Sequence, residues 1–290
     1  MSGRLPGFIA RAAALGTLLL GAGALAGPVL EPARSLTPTP PAPAAAARAP
    51  AYRAAQRPVL ALVIDDLGWD PRAGDRVVGL PAPITVAVLP GTPSSRRLAD
   101  AAARRGHEII LHQPMEALNA RWPGPGAMDS AQAPEELRRL LAQNLEEIPH
   151  RVGVSNHMGS RLTAQPRAME VVMDELAPRD LYFLDSRTTP DTVAYRTARA
   201  HAIPSTRRDV FLDAVMRPEV IDRALTDALE LAERRGHALA IGHPYAATLR
   251  ILETRMAEIR SRVELVPVSR LIALRAALEK PSETVHVAAQ

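Results

Sequence analysis

The chain has 290 residues, of which 47% are hydrophobic and 3% aromatic, and its formal charge is only +4. That is enough apolar material for one large domain or two small ones, and no dense Lys/Arg run or aromatic stripe points to nucleic acid. There is no cysteine, and the single lysine, Lys280, lies near the C-terminus, which argues against thiol nucleophiles, thiolate metal sites, Schiff-base chemistry and a P-loop.

The N-terminus reads as an export signal. Arg4 and Arg11 supply positive charge, Ala12 to Gly27 is apolar, and Ala24-Leu25-Ala26 fits a small-residue cleavage site. Residues 1–27 are therefore expected to be a signal peptide or an N-terminal anchor. The apolar stretch through Leu30 is barely long enough to span a bilayer, so both fates stay open. Either one places the protein outside the cytoplasm, in the periplasm or on the outer face of the inner membrane, with membrane contact only through an uncleaved leader. Residues 28–57 are rich in Pro and Ala and read as a disordered tether. The folded domain is expected over residues 58–278, followed by a polar tail, 279–290.

The first predicted strand, Leu60–Ile64, ends in two adjacent acids, Asp65 and Asp66. An apolar run of this kind reads as a strand buried on both faces, and its C-terminal end is where parallel α/β folds place their chemistry. Neighbouring carboxylates repel unless a cation or a proton relieves them. This suggests a metal on one acid, with the other free to act as a base. Strand Ile84–Val88 follows, then a helix over Arg96–Arg105 opened by Thr92-Pro93-Ser94.

Strand Glu108–Leu111 leads into His112 and Glu116. The latter reads equally as a fourth ligand, a carboxylate orienting a histidine, or a solvated loop acid. Ala133-Pro134-Glu135 opens a helix over Leu137–Glu147. Strand Val152–Ser155 runs into Asn156 and His157, with Arg161 beyond a glycine-containing turn. Strand Leu181–Leu184 ends at Asp185, close to Arg187. Asp185 reads as an orienter of an imidazole, a substrate contact, or a helix cap. A weak strand covers His201–Pro204. Asp209 and Asp213 read first as a salt-bridge cluster and second as a substrate-contact loop. Pro218-Glu219 opens a helix over Val220–Arg235. Strand Ala238–Ile241 is followed by His243, and strand Val263–Val266 ends the series. Trp69 and Trp122 fall in loops after strand ends, where each could stack on a ring of a bound ligand or simply pack. Seven or eight βα units in roughly 220 residues favour an irregular (β/α) barrel over an open sheet.

Of eight histidines, only His112, His157 and His243 come just past an apolar strand. Imidazole and carboxylate are the usual ligands of a hydrolytic Zn²⁺ that keeps a position open for water, so these residues are the candidates for a metal site.

As a set, these residues resemble the divergent polysaccharide deacetylase family, a branch of the NodB-like carbohydrate esterases. The resemblance runs from about Pro58 to Ile272. It rests on Val63-Ile64-Asp65-Asp66, Gly106 through His112 to Glu116, Asn156-His157-Met158-Gly159-Ser160-Arg161, Phe183-Leu184-Asp185-Ser186-Arg187-Thr188, Arg208-Asp209-Val210-Phe211-Leu212-Asp213 and Ile241-Gly242-His243-Pro244-Tyr245.

It implies an α/β, NodB-like barrel and a metal-dependent hydrolase, with zinc the preferred ion, that removes N- or O-acetyl groups from an envelope carbohydrate. It also implies Asp65 as base, Asp66 and His112 as metal ligands, and His243 as general acid held by a carboxylate such as Asp185. The second His of the family's better-known members is replaced by Glu116, so the third ligand falls to His157 first and Glu116 second. Asn156, Arg161, Arg187 and Asp213 are the implied substrate contacts. These departures also support another reading, a catalytically inert glycan-binding or envelope-organising protein with a vestigial barrel.

Overall fold

The computed structural model describes residues 57–119 and 121–279. The expected leader, nearly all of the tether, and the tail from Lys280 lie outside the described residues. In chain order the elements are β1 (Val59–Leu67), α1 (Pro71–Val78), β2 (Thr85–Val88), α2 (Ser95–Arg104), β3 (Glu108–Met115), α3 (Pro134–Glu147), β4 (Arg151–Met158), α4 (Pro166–Leu176) and β5 (Tyr182–Asp185). They continue with α5 (Ala194–Ala200), β6 (Ser205–Arg207), β7 (Val210–Phe211), α6 (Pro218–Arg235), β8 (His237–Gly242), α7 (Ala246–Arg262), β9 (Glu264–Val266) and α8 (Val268–Glu279). Proline in the first turn starts α1, α3, α4 and α6, where its missing N–H costs nothing. Asp70 caps α1 by accepting from the Arg72 and Ala73 amides. No helix among the described residues is long and apolar enough to cross a membrane.

Every strand pairing is parallel, and the sheet runs in the order β6-β5-β4-β3-β2-β1-β8-β7, with β9 beside the start of β1. Its two edge strands, β6 and β7, are consecutive pieces of one short segment, so the sheet curls round on itself. This is the irregular α/β barrel of the NodB type that the sequence implied, with helices outside.

The alternation of side chains along β1 builds two cores. Leu60, Leu62 and Ile64 join the large cluster between sheet and helices. Val59, Ala61 and Val63 join Ile110, Leu184 and Ile241 inside the barrel. Val268, Leu271 and Ile272 of α8 belong to the same inner cluster, so the last helix closes the end where the strands begin. A polar knot fixes it there. Glu108 accepts from the Tyr182 hydroxyl, the Thr85 hydroxyl and the Ser269 amide at 2.7, 2.9 and 3.2 Å. The opposite end, where the strands finish, stays open to the βα loops.

The weak strand expected over His201–Pro204 is not formed. Those residues finish α5 instead: Ala202 turns left-handed at φ 57° and the Ile203 amide bonds back to Ala198. The ladder with β5 starts at Ser205, just after the Phe183 amide donates to Pro204 O.

Candidate metal centre

Inward alternation along β1 places Asp65 on the level above Val63, at the top of the barrel interior. It is 2% exposed, and its Oδ1 has no hydrogen-bond partner among the described residues. Burial pushes its carboxyl above the usual range, opposed by His112, His243 and His157 and reinforced by Asp66. Simple alternation would turn Asp66 outward. It instead adopts φ 61°, where the β1–β2 register breaks between Ile64 and Leu67. A bulge with a left-handed residue re-aims a side chain, and Asp tolerates that conformation better than most residues. Two successive acids thereby face one site.

Asp66 Oδ1 lies 2.7 Å from His157 Nδ1 and 3.2 Å from His112 Nε2. Both approaches lack hydrogen-bond alignment, which leaves this buried oxygen without a partner. Burial alone would raise the Asp66 pKa, but the His112 and His157 nitrogens outweigh it and hold the carboxyl well below the usual range. The ligand atoms of Asp66, His112 and His157 lie within 4.8 Å of one another, a grouping able to hold a metal ion. One carboxylate and two imidazoles around an otherwise unsatisfied oxygen suit a zinc-type ion with positions left for water and substrate. The Ser155 hydroxyl, 2.7 Å from His112 Nδ1, fixes that ring so that Nε2 faces Asp66.

His243 follows Gly242 on the adjoining strand, its Nε2 3.9 Å from Asp66 Oδ2. Asp213 grips it twice, at 2.8 Å on Nδ1 and 2.7 Å on the backbone amide, and takes the Thr248 hydroxyl as well. The imidazole stacks between Phe211 and Tyr245, with ring centroids 5.7 and 5.3 Å away. Burial opposes its protonation, but the Asp213 hydrogen bond and the charges of Asp65, Asp66 and Asp213 prevail and lift its pKa to about 9.

The structure relocates several expected roles. Asp185 does not orient His243: its carboxylate accepts the Arg187 amide, the Thr192 hydroxyl and the Tyr195 amide, closing the turn into α5. Asp213 takes the orienting role and is buried against the histidine. Glu116 is not the third ligand, because it accepts the Ser130 amide and hydroxyl and pairs with Arg161. Arg161 is thereby committed to Glu116. Asn156 is buried and spends its amide on the backbone of Met158 and Ser186, so it shapes the strand end instead of meeting substrate. Asp209 is a salt-bridge residue, paired with Arg275 and accepting the Leu239 amide.

Arg187 remains exposed on the rim, as do Trp69 and Trp122. Ser155, Phe211 and Tyr245 were missed. Alternation from His157 back to Ser155, and from Asp213 back to Phe211, was the available signal.

A curled parallel barrel with Asp, His and His converging at the C-terminal ends of its strands defines a NodB-like α/β protein with a candidate metal site. The sequence model of the divergent polysaccharide deacetylases matches residues 62–272, and the chain belongs to that family. The chain is 36% identical over 213 residues to the protein YibQ of Escherichia coli K12, spanning 73% of this chain and 67% of that one. An uncharacterized protein of Haemophilus influenzae Rd is 30% identical over 212 residues, covering 73% and 76% respectively. Among solved structures, the uncharacterized protein ATU2773 of Agrobacterium tumefaciens C58 superposes with a TM-score of 0.72 at 28% identity, over 75% of this chain and 90% of that one.

Proposed function

We propose that the protein is an exported, metal-dependent deacetylase that removes N- or O-acetyl groups from a cell-envelope glycan. One observation carries this reading: Asp66, His112 and His157 converge beside an Asp213-held His243 and a buried Asp65 whose Oδ1 has no hydrogen-bond partner among the described residues. A divalent ion held by the three ligands, with zinc the best match to the donors, would supply Lewis acidity to the attacking water and the acyl carbonyl.

The remaining work belongs to side chains. Asp65, its carboxyl raised by burial, takes the proton of the attacking water as general base. His243 is kept protonated by Asp213 and oriented by the Phe211 and Tyr245 rings, and it delivers a proton from Nε2 to the departing amine or alkoxide. Export is read from the charge and apolar pattern of residues 1–27.

The test is elemental analysis of the purified protein, then acetate release from acetylated chitooligosaccharides and peptidoglycan. Bound metal and acetate release that disappears in a metal-retaining Asp65→Asn variant are expected. Full activity in that variant removes Asp65 from the base role. A metal-loaded protein that binds glycans but releases no acetate from any of them would establish the inert, glycan-binding reading instead.

A further inference from the structure

The register that builds the metal site gathers a second group of side chains beside it. His112 pairs with Ser155, Ser155 with Leu184, and Leu184 with Thr206. Tyr182 and Leu184 lie in the inner core and Phe183 in the outer one, so Ser186, two residues past Leu184, returns to the inward face. At the end of β6, Arg207 lies over the Tyr195 ring of α5, outside the sheet. Thr206 meets Arg275 of the closing helix α8, so Arg208 continues the inward series. Ser186 and Arg208 therefore stand on the level of His157, at the same open mouth as Asp65 and His243.

Arg208 is held in one orientation. Its Nε donates to Ser186 O at 2.7 Å and its Nη2 to Arg187 O at 2.8 Å. The guanidinium lies 3.9 Å over the Phe211 ring, whose stacking partner is His243. Its Nη1 has no hydrogen-bond partner among the described residues. Neither Arg208 nor Arg187 has a carboxylate within the 4.0 Å of an ion pair there.

Of the nearby acids, Asp213 pairs with His243, Asp185 closes the turn and Asp209 pairs with Arg275, while Asp65 acts on Arg208 through its charge without touching it. Burial and the neighbouring Arg187 lower the Arg208 pKa to about 10 against the opposing charges of Asp185, Asp65 and Asp209, which still leaves the group charged at neutral pH. A partly desolvated cation with no carboxylate in direct contact is costly. The buried Ser186 hydroxyl also has no hydrogen-bond partner among the described residues. The turn presenting Arg187 is held from both sides, by Asp185 on its amide and Arg208 on its carbonyl, at φ 51°, a strained residue fixed by its surroundings.

We propose that Arg208, Arg187 and the Ser186 hydroxyl form an anion-binding subsite that takes a carboxylate or phosphate on the sugar being deacylated, so that the preferred substrate is an acidic glycan. This rests on the deacetylase reading above. A guanidinium recognises planar oxyanions through paired N–H donors.

The test compares a carboxylated N-acetyl disaccharide, its methyl ester and a phosphorylated analogue. The wild-type protein is expected to turn over a charged sugar with kcat/KM about 10–100-fold above the ester. The better of the two anions identifies the group recognised. Arg208→Gln should bring charged and neutral sugars to within about twofold of each other. Should that variant not fold, Arg187→Gln, at an exposed position, should lower the preference in the same direction.

Equal turnover of acid and ester by the wild type overturns the subsite and leaves the deacetylase reading standing. If no sugar loses acetate, calorimetric binding decides. Selective binding of the charged sugars that is lost in Arg187→Gln keeps the subsite while the hydrolase fails. Absence of selective binding overturns the subsite.

Discussion

At the scale of single residues, the site depends on two small devices that hold imidazoles in place. Ser155 is buried and its hydroxyl meets His112 Nδ1. A group that fixes the tautomer and direction of a ligand typically matters 10–100-fold. Ser155→Ala should therefore weaken zinc binding by about 10–100-fold, measured by competition with a calibrated chelator, and leave the fold intact. Unchanged affinity would show that the ring is fixed by packing alone.

Asp213 does the equivalent for His243. In the metal-free protein the His243 pKa, followed by NMR, should sit near the raised value of about 9 and fall towards the ordinary range of about 6.5 in Asp213→Asn. The sign of the accompanying stability change follows. A histidine raised on folding contributes fully below its unfolded pKa, and the contribution disappears as pH rises through about 9. The wild-type advantage over Asp213→Asn in urea unfolding should shrink across that window.

The acid pair was legible because an apolar strand that stops at two carboxylates has few structural explanations. The left-handed turn at Asp66 that brings both acids to one face was not. Nor was the choice between Asp185 and Asp213 as partner of His243. Both acids lie at strand ends, and only the pairing of β7 with β8 puts Asp213 alongside.

At the scale of elements, strands were legible from apolar runs and α3 and α6 from the proline at their first turn, whereas α1 and α4, which also start on proline, were not read. Others carried weaker signals. α7 has no side-chain cap, and β7 is two residues long and exists only because β8 lies beside it. The weak strand was misplaced by a helix end that looked extended in composition.

A different kind of information sits in β4. Gly153 has ordinary strand geometry, yet a Cβ there would lie 2.6–2.7 Å from ring atoms of Tyr182. That ring is pinned by its hydroxyl to Glu108, within the knot that also holds the start of α8. Gly153→Ala must therefore displace the ring or the strand. Overpacking of this kind costs about 1–3 kcal/mol, and the change should appear as a lower urea midpoint with an unchanged slope. A neutral result would mean that the Tyr182 ring moves freely, and the knot would then not brace the closing helix.

At the scale of the whole molecule, the three candidate ligands come from the ends of β1, β3 and β4, separated by long stretches of chain but adjacent through the β1–β2–β3–β4 pairings. Strand register brings them together, and the unfolded chain has no such site. An ion that binds only the folded state stabilises it by mass action, by about 2.7 kcal/mol at a hundredfold excess over its dissociation constant. For a domain of this size that corresponds to a rise in Tm of about 5–10 °C.

Zinc added to chelator-stripped protein should produce a shift of that order, and chelator should reverse it. Asp66→Ala should abolish the response because it removes the one oxygen facing both imidazoles. Arg161→Ala, on the same rim but tied to Glu116, should leave it intact. A shift that survives in Asp66→Ala would place the ion elsewhere and dissolve the link between barrel register and metal chemistry.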